Sequence, residues 1–371
     1  MFVLTGVTNT LLGPLLPVLV EWWTLPDARA GLLFTFQFVG SMAGAALSSP
    51  IIRMIGLRRT LLAGVVIMGT GVGALAFRDV ALGHAAVWWY GAGLGLTIPA
   101  TNLWVAQHVP GARAAALSLL NLAWGIGAIA GPPAVVLSRR IHDANLFLFV
   151  LAASLLLSAF VIGLMREPTR TEGAAIDEGS TRVPVNLRGR VIAFGVFLFV
   201  YVGTETSVSG WAAIYAQRVE LLAAATSIAA PSIFWGALLA GRALAPALLL
   251  RWNEPALLTT GLLVTTAAVV ALLFAGSGAT LTVTMILAGL GLSVVFPVSF
   301  ALFTKDLDRA ATRAAGPVFV LAGLGGASLP WLVGVVSART QNLRAGLMVP
   351  LAGCVAMLFL NAQRRSRRRP L

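Results

Sequence analysis

The chain has 371 residues, of which 58% are hydrophobic and 11% charged, and its formal net charge is +13. Soluble domains have about 25% charged residues, so the high apolar and low charged fractions exclude a disordered chain. A single soluble core cannot bury this much apolar surface, which disfavours a soluble enzyme. The basic residues are spaced between apolar runs, which disfavours a DNA-binding protein. One cysteine, Cys354, and three histidines without H-x-x-x-H spacing predict no disulfide, no zinc site and no cofactor.

Twelve apolar stretches are long enough to cross a membrane as helices, because a bilayer core of about 30 Å requires about 20 residues. They are too long and too continuous for the strands of a membrane barrel. We number these predicted spans 1 to 12, at residues 2–20, 31–52, 60–77, 82–106, 114–137, 146–165, 191–214, 227–250, 256–275, 280–303, 315–337 and 345–361. Span 1 has no basic region or A-x-A site of a signal peptide, and its early start suggests a missing short N-terminal tail.

The distribution of arginine predicts the orientation of the spans. With the N-terminus inside, the inner segments carry eighteen basic residues and the outer segments carry seven. Basic residues are enriched on the cytoplasmic side of membrane proteins, so both termini are predicted to be cytoplasmic. Arginine outnumbers lysine 25 to 1, which suggests a GC-rich bacterial genome and hence the inner (plasma) membrane.

The two halves of the chain are similar to each other at a constant spacing. Residues 8–10 (TNT) fall on 204–206 (TET), and residues 92–96 (AGLGL) fall on the same five letters at 288–292, both 196 residues apart. The longest polar stretch, 166–190, lies between spans 6 and 7 and is predicted to be a cytoplasmic linker. We therefore predict two parallel six-helix bundles, 1–165 and 191–363, joined by this linker and followed by a basic tail, 364–371.

Twelve spans, a six-plus-six repeat and a long central loop resemble the major facilitator superfamily. The loop after span 2, residues 53–59 (RMIGLRR), resembles the G-x-x-x-D-R-x-G-R-R motif of that superfamily but lacks its Asp. The resemblance implies twelve helices, alternating access to a central site, and no enzymatic activity. It also places spans 1, 4, 7 and 10 around the central cavity.

Shorter motifs resemble the fucose permease-like branch of sugar and proton symporters. They are residues 10–17 (TLLGPLLP), 201–205 (YVGTE), 210–211 (GW), 234–236 (FWG) and 241–242 (GR). In that branch, carboxylates on helices 1 and 4 contribute to proton coupling and sugar recognition. This chain has none within span 4 or in the middle of span 1, so that scheme does not carry over residue by residue.

Two ionisable residues lie well inside predicted spans. Glu205 is near the middle of span 7, where an unpaired carboxylate is costly unless it takes up a proton, so it is the candidate for proton coupling. The alternative is a structural carboxylate bonded to neighbouring helix ends or hydroxyls. Arg242, on span 8, lies about 9 Å away in depth at about 1.5 Å per residue. It pairs with Glu205, supports an inner gate, or binds an anionic group of the solute, and we favour the first two.

Amide and aromatic side chains supply the remaining candidates. Tyr201, Glu205 and Ser209 share one face of span 7, and amides with aromatic rings suit a polyhydroxyl or amphipathic neutral solute. For the asparagines, interhelical hydrogen bonding is the alternative role. The candidate substrate-binding residues are Asn9, Gln37, Asn102, Asn121, Trp124, Tyr201, Glu205, Ser209, Trp235 and Arg242.

These features predict a secondary active transporter that is driven by protons and moves a small neutral or amphipathic solute, with a sugar as one candidate. Its expected partners are the solute, H⁺ and membrane lipid, not nucleic acid, and it is expected to work as a monomer. Proton-driven efflux of hydrophobic compounds fits the many aromatic residues equally well. A non-transporting membrane sensor is the alternative of another class, whereas an intramembrane enzyme would need more ionisable groups at membrane depth.

Overall fold

The computed structural model describes residues 1–108, 113–164, 185–218, 224–307 and 310–366, and every regular element in these ranges is helical. The N-terminal half contains Phe2–Asn9, Leu12–Trp23, Asp27–Ile55, Leu57–Ala74 with a 3₁₀ turn at Leu75–Phe77, Val80–His108, Arg113–Ile141 and Ala144–Leu164. The C-terminal half contains Val185–Arg218, Ala224–Leu249, Glu254–Leu273, Gly278–Ser293, Val295–Leu307, Ala310–Thr340, Leu343–Gly346 and Met348–Ser366.

A helix or a pair of helices lies at each of the twelve predicted spans, and the all-α membrane fold is confirmed. In the described residues, ten helical segments are long and apolar enough to cross a membrane, and a bent pair at span 1 makes an eleventh. Val80–His108, at span 4, is 29 residues long but falls outside this group because glycines and polar residues lower its mean hydropathy. The predicted linker falls mostly outside the described residues, and the helix of span 7 begins at Val185, within its last six residues.

Proline explains why two of the spans are broken. The helices Phe2–Asn9 and Leu12–Trp23 meet at a bend of 49°, and Pro14 follows four residues after Thr10, where the first helix ends. A proline ring clashes with the carbonyl four residues earlier and cannot donate the hydrogen bond to it. Pro297 stands in the same relation to Ser293, where span 10 breaks.

The two halves pack against each other most extensively along two pairs of spans, and span 1 also contacts spans 7 and 8. Span 2 packs on span 11, where the Thr35 hydroxyl donates to the Ala327 carbonyl at 2.6 Å. Span 5 packs on span 8, where the Ser232 hydroxyl donates to the Ile129 carbonyl at 2.8 Å. Hydroxyl-to-carbonyl hydrogen bonds of this kind stabilise the packing of membrane helices, because the hydrophobic effect does not drive helices together within lipid.

Asp27 connects the halves at the end of the bundle that the arginine distribution predicts to be extracellular. Its Oδ1 lies 2.7 Å from Arg218 Nη1, and its Oδ2 accepts a hydrogen bond from the Ser337 hydroxyl at 2.6 Å. The Asp27 side chain is 11% exposed, and it begins the helix Asp27–Ile55, where the helix dipole favours a carboxylate. One residue thus joins span 2 to spans 7 and 11, and the halves meet at this end.

We expect Asp27→Asn to loosen this end of the bundle. The ion pair with Arg218 is lost, and a pair with one exposed partner contributes on the order of 1 kcal/mol. This corresponds to a shift of about fivefold between closed and open forms. The measurement is the distance between spin labels at Arg29→Cys and Gln341→Cys, in a background in which the buried Cys354 is replaced by serine. The population at long distances should increase.

Asp143→Asn is the matched control, because Asp143 pairs with Arg78 within the N-terminal half. That variant should leave the label distances unchanged. Equal distance distributions in wild type and Asp27→Asn would show that Asp27 does not hold this end closed.

Candidate functional site

A cavity of about 180 Å³ lies between the halves, lined by described residues of spans 1, 2, 5, 7 and 8. Of the four spans expected around it, spans 1 and 7 contribute lining residues, whereas spans 4 and 10 contribute none among the described residues. Six of the ten candidate residues line it: Asn9, Gln37, Trp124, Glu205, Ser209 and Trp235. These residues lie far apart in the sequence and on both sides of the central linker. The crossing of the two repeats therefore brings them together near the middle of the helices.

Glu205 has a different environment at each carboxylate oxygen. Its Oε1 accepts a hydrogen bond from the Tyr201 hydroxyl at 2.6 Å and lies 3.7 Å from Arg242 Nη2. Within the described residues, Oε2 has no hydrogen-bond partner, and the side chain is 14% exposed at the cavity. The carboxylate therefore has one oxygen held by the protein and one available to a proton or a solute hydroxyl.

Arg242 forms a loose ion pair with Glu205. The distance of 3.7 Å is too long for a hydrogen bond, and the Arg242 side chain is 34% exposed. Its Nε is buried without a hydrogen-bond partner in the part of the chain that the structure describes. This geometry matches the ion-pair alternative for Arg242.

Gln37 joins three spans of the N-terminal half. Its Nε2 donates to the Asn9 carbonyl at 2.8 Å, and its Oε1 accepts from the Tyr90 hydroxyl at 3.1 Å. Both ends of the Gln37 amide are therefore used within the protein. By contrast, the Asn9 side chain makes no hydrogen bond to another described residue, so its amide is available to the cavity.

Two tryptophans form the aromatic wall of the cavity, one from each half. The rings of Trp124 and Trp235 meet edge to face, with centroids 5.4 Å apart and an angle of 83°. Glycines allow span 5 to bring Trp124 to the cavity. A Cβ on Gly6 would overlap the Trp124 carbonyl, and a Cβ on Gly127 would overlap the Val3 carbonyl. Spans 1 and 5 are thus in backbone contact.

Four candidate residues do not line this cavity. Tyr201 and Arg242 lie behind Glu205 and act on the cavity through it. The amides of Asn102 and Asn121 donate to carbonyls of their own helices, those of Ile98 and Leu117, at 2.9 and 3.0 Å. For these two residues, a solute-binding role remains a prediction for another state of the protein.

Sequence reasoning missed several residues that line the cavity. The hydroxyl of Thr206 and the rings of Phe34 and Phe38 contribute to it, together with Val202 and Gly210. A signal existed, because Phe34 and Val202 lie three residues before Gln37 and Glu205 on the same helix faces. Phe38 and Thr206 in turn lie four residues after Phe34 and Val202. The described residues contain no group of three His, Cys, Asp or Glu side chains placed to hold a metal ion.

Residues 1–330 match the family described as Major Facilitator Superfamily. The chain belongs to the major facilitator superfamily. It is accordingly a multi-pass membrane protein with the fold of this superfamily. A curated relative, "Putative glucose/galactose transporter" from Helicobacter pylori, is 29% identical over 167 residues, which are 44% of this chain and 40% of the relative. The match thus spans less than half of either protein.

Solved structures of this superfamily share the fold over nearly the whole chain. A variant of the nucleoside transporter NupG superposes with a TM-score of 0.81 at 13% identity and covers 99% of this chain and 98% of its own. A bacterial homologue of the human lysosomal transporter Spinster, in an inward-facing and unoccupied conformation, gives 0.79 at 14%, covering 100% and 96%. The Escherichia coli fucose:proton symporter FucP gives 0.62 at 19%, covering 98% and 96%.

We expect Arg242→Gln to destabilise the protein more than Glu205→Gln does. Without Arg242, the less exposed partner is left as an unpaired carboxylate, whereas an unpaired Arg242 is partly hydrated. The loss from Arg242→Gln should shrink at lower pH, because a protonated Glu205 carries no charge. The measurement is thermal unfolding of the purified protein in detergent, for both single variants and the double variant.

The double-mutant cycle should give a favourable coupling of about 1 kcal/mol, because the pair is loose and partly exposed. Arg251→Gln, which removes an exposed arginine outside the cavity, is the control. Strictly additive losses in the cycle would show that Glu205 and Arg242 do not interact.

Proposed function

We propose that this protein couples proton movement to transport of a small polyhydroxyl solute through Glu205. The observation that carries the proposal is the geometry of the Glu205 carboxylate. It lies at the cavity between the halves, with one oxygen held by Tyr201 and the other open to the cavity. A carboxylate at membrane depth that can be charged or neutral is a means of coupling a proton to a conformational change.

The ion pair with Arg242 gives the two protonation states of Glu205 different consequences. When Glu205 is charged, it attracts Arg242 and holds span 7 to span 8. When it is protonated, the attraction is lost, and Arg242 is free to hydrate or to move with its helix. Proton binding thus changes the connection between two helices of the C-terminal half, both of which touch the N-terminal half.

The remaining cavity lining favours a small solute with several hydroxyl groups. The Asn9 amide, the Thr206 hydroxyl and the free oxygen of Glu205 supply both donors and acceptors, and Trp124 and Trp235 supply flat apolar faces. The volume of 180 Å³ lies below the range of about 300–1,000 Å³ that is typical of drug-sized ligands. A monosaccharide or a nucleoside fits this chemistry, in keeping with what the similar proteins are named for.

Proton-driven efflux of a hydrophobic compound is the second candidate, and the aromatic lining favours it. Phe34, Phe38, Trp124 and Trp235 would surround an apolar molecule, and Glu205 would take up the proton in the same way. The two candidates differ in what they bind and in the direction of net transport. A panel that contains sugars, nucleosides and cationic dyes separates them.

We expect Glu205→Gln to keep exchange of solute but to lose accumulation driven by a proton gradient. Glutamine preserves the acceptor for the Tyr201 hydroxyl and removes the group that titrates. The measurement is counterflow and gradient-driven uptake in reconstituted vesicles, with the panel of labelled solutes. Counterflow should stay within about threefold of wild type, whereas accumulation should fall to the level of vesicles without a gradient.

Glu21→Gln is the matched control, because Glu21 is exposed at a helix end, where it lies 3.6 Å from Arg139, and is not part of the cavity. It should retain accumulation. If Glu205→Gln accumulates solute as well as wild type, Glu205 is structural, and coupling to another ion or passive transport replaces the proposal.

We expect Trp124→Ala to raise the KM for the transported solute by about tenfold or more. Loss of one stacking surface removes an aromatic contact worth about 1 kcal/mol together with the buried area of the ring. Trp252→Ala, which removes an exposed ring outside the cavity, should leave the KM unchanged. The measurement is the concentration dependence of counterflow, and an unchanged KM in Trp124→Ala would place the solute elsewhere.

A further inference from the structure

A second cavity lies inside the C-terminal half, away from the site of Glu205. It has a volume of about 420 Å³ and lies between spans 7, 9, 10 and 12. Arg190, on its rim, precedes Arg218 by 28 positions in one helix, which corresponds to about 42 Å at 1.5 Å per residue. The cavity is therefore at the opposite end of the bundle from Asp27, and Glu205 lies between the two.

The lining changes character with depth. Arg190 and Arg364 lie at the outer end, and no described residue of the lining is acidic. One to two helical turns deeper, Phe194, Phe197 and Phe303 line the wall, and the rings of Phe194 and Phe303 stack with centroids 4.0 Å apart. Positive charge above an apolar wall is the profile of the boundary between phospholipid headgroups and acyl chains.

Asn361 provides an independent sign that this cavity takes a ligand. It lines the cavity and is only 4% exposed. Its Nδ2 donates to the Thr259 hydroxyl at 2.9 Å, but its Oδ1 is buried and has no partner among the described residues. A buried acceptor without a donor costs free energy, so a ligand with a hydroxyl donor would stabilise this position.

We propose that this cavity binds an anionic phospholipid whose headgroup carries a hydroxyl group. The phosphate lies between Arg190 and Arg364, and an acyl chain lies along the phenylalanine wall. Asn361 is one helical turn from Arg364, so a flexible headgroup such as glycerol can reach from the phosphate and donate to Asn361 Oδ1. The sequence predicts this end of the bundle to be cytoplasmic, and basic pockets between spans on that side bind anionic headgroups.

The experiment measures binding of defined lipids to the purified, delipidated protein by native mass spectrometry. The probes have matched acyl chains: phosphatidylglycerol, phosphatidylmethanol with the same charge but no hydroxyl, and zwitterionic phosphatidylcholine. We expect wild type to bind phosphatidylglycerol at least threefold more tightly than phosphatidylmethanol and at least tenfold more tightly than phosphatidylcholine. Inorganic phosphate at millimolar concentration should not displace the lipid, which distinguishes a lipid site from a site for free phosphate.

Variants test each part of the proposal. Arg190→Gln with Arg364→Gln should weaken phosphatidylglycerol binding at least tenfold, and Asn361→Leu should abolish the preference over phosphatidylmethanol. Gly189→Trp should weaken binding of all three lipids, because Gly189 lines the cavity and an indole there would occupy space that a lipid needs. A Cβ at Gly189 would meet no atom within 4 Å among the described residues, so the substitution should be tolerated. This last variant keeps the test decisive if Asn361→Leu does not fold.

Arg53→Gln with Arg251→Gln is the matched control, since both arginines are exposed at the same end of the bundle but lie outside the cavity. It removes the same charge and should retain tight binding. An equal loss in this control would show only general attraction to a basic surface and overturn the proposal. Equal binding of phosphatidylglycerol and phosphatidylmethanol to wild type would overturn the role of Asn361, and displacement by inorganic phosphate would overturn the lipid assignment.

Discussion

The site depends on one constraint: a carboxylate placed among membrane helices must be paired, hydrogen-bonded or protonated. Glu205 satisfies this constraint without a fixed charge, because the Tyr201 hydroxyl holds one oxygen closely while Arg242 Nη2 lies 3.7 Å away. A tight, bidentate arginine pair would fix the charge permanently. A loose pair beside a cavity can separate when the carboxylate takes up a proton, which is what the proposed proton coupling requires.

Packing of small residues brings the rest of the site to this carboxylate. Gly6 and Gly127 let spans 1 and 5 approach to backbone contact, and the approach presents Trp124 to the cavity. The break at Thr10, opposite Pro14, interrupts span 1 just after Asn9. Backbone groups freed by such a break need partners, and Gln37 supplies one by donating to the Asn9 carbonyl. The polar site therefore stands where the helix is broken.

The sequence predicts the spans and the central carboxylate because a membrane requires apolar runs of about 20 residues, in which an acidic residue is rare. Glu205 is an acid in the middle of an apolar run, and helical spacing predicts Tyr201 on the same face, where the structure shows their hydrogen bond. Asn102 and Asn121 are predicted from the sequence to bind the solute in the same way as Asn9, yet their side-chain amides donate to carbonyls of their own helices. Which asparagine faces the cavity depends on rotation of each helix and on its neighbours, and no local pattern encodes that.

Contacts across the two repeats are the least predictable from sequence. Asp27 is the first residue of its helix, next to a proline, and its partners Arg218 and Ser337 are 191 and 310 residues away. From the sequence alone, an acidic residue at the start of a helix indicates only a favourable interaction with the helix dipole. Only the packing of span 2 against spans 7 and 11 gives it a second role.

The helix Val185–Arg218 connects these features physically. Arg218, at its end, is held by Asp27, and Glu205, near its middle, is linked to span 8 through Arg242. A continuous helix of 34 residues transmits a tilt or rotation along its length, since its internal hydrogen bonds resist bending. Loss of the Glu205–Arg242 attraction therefore acts on the same rigid element that the Asp27 contact restrains. In the proposed cycle, protonation of Glu205 and closure at the Asp27 end would both act on this one helix, so their coupling would require no further connecting element.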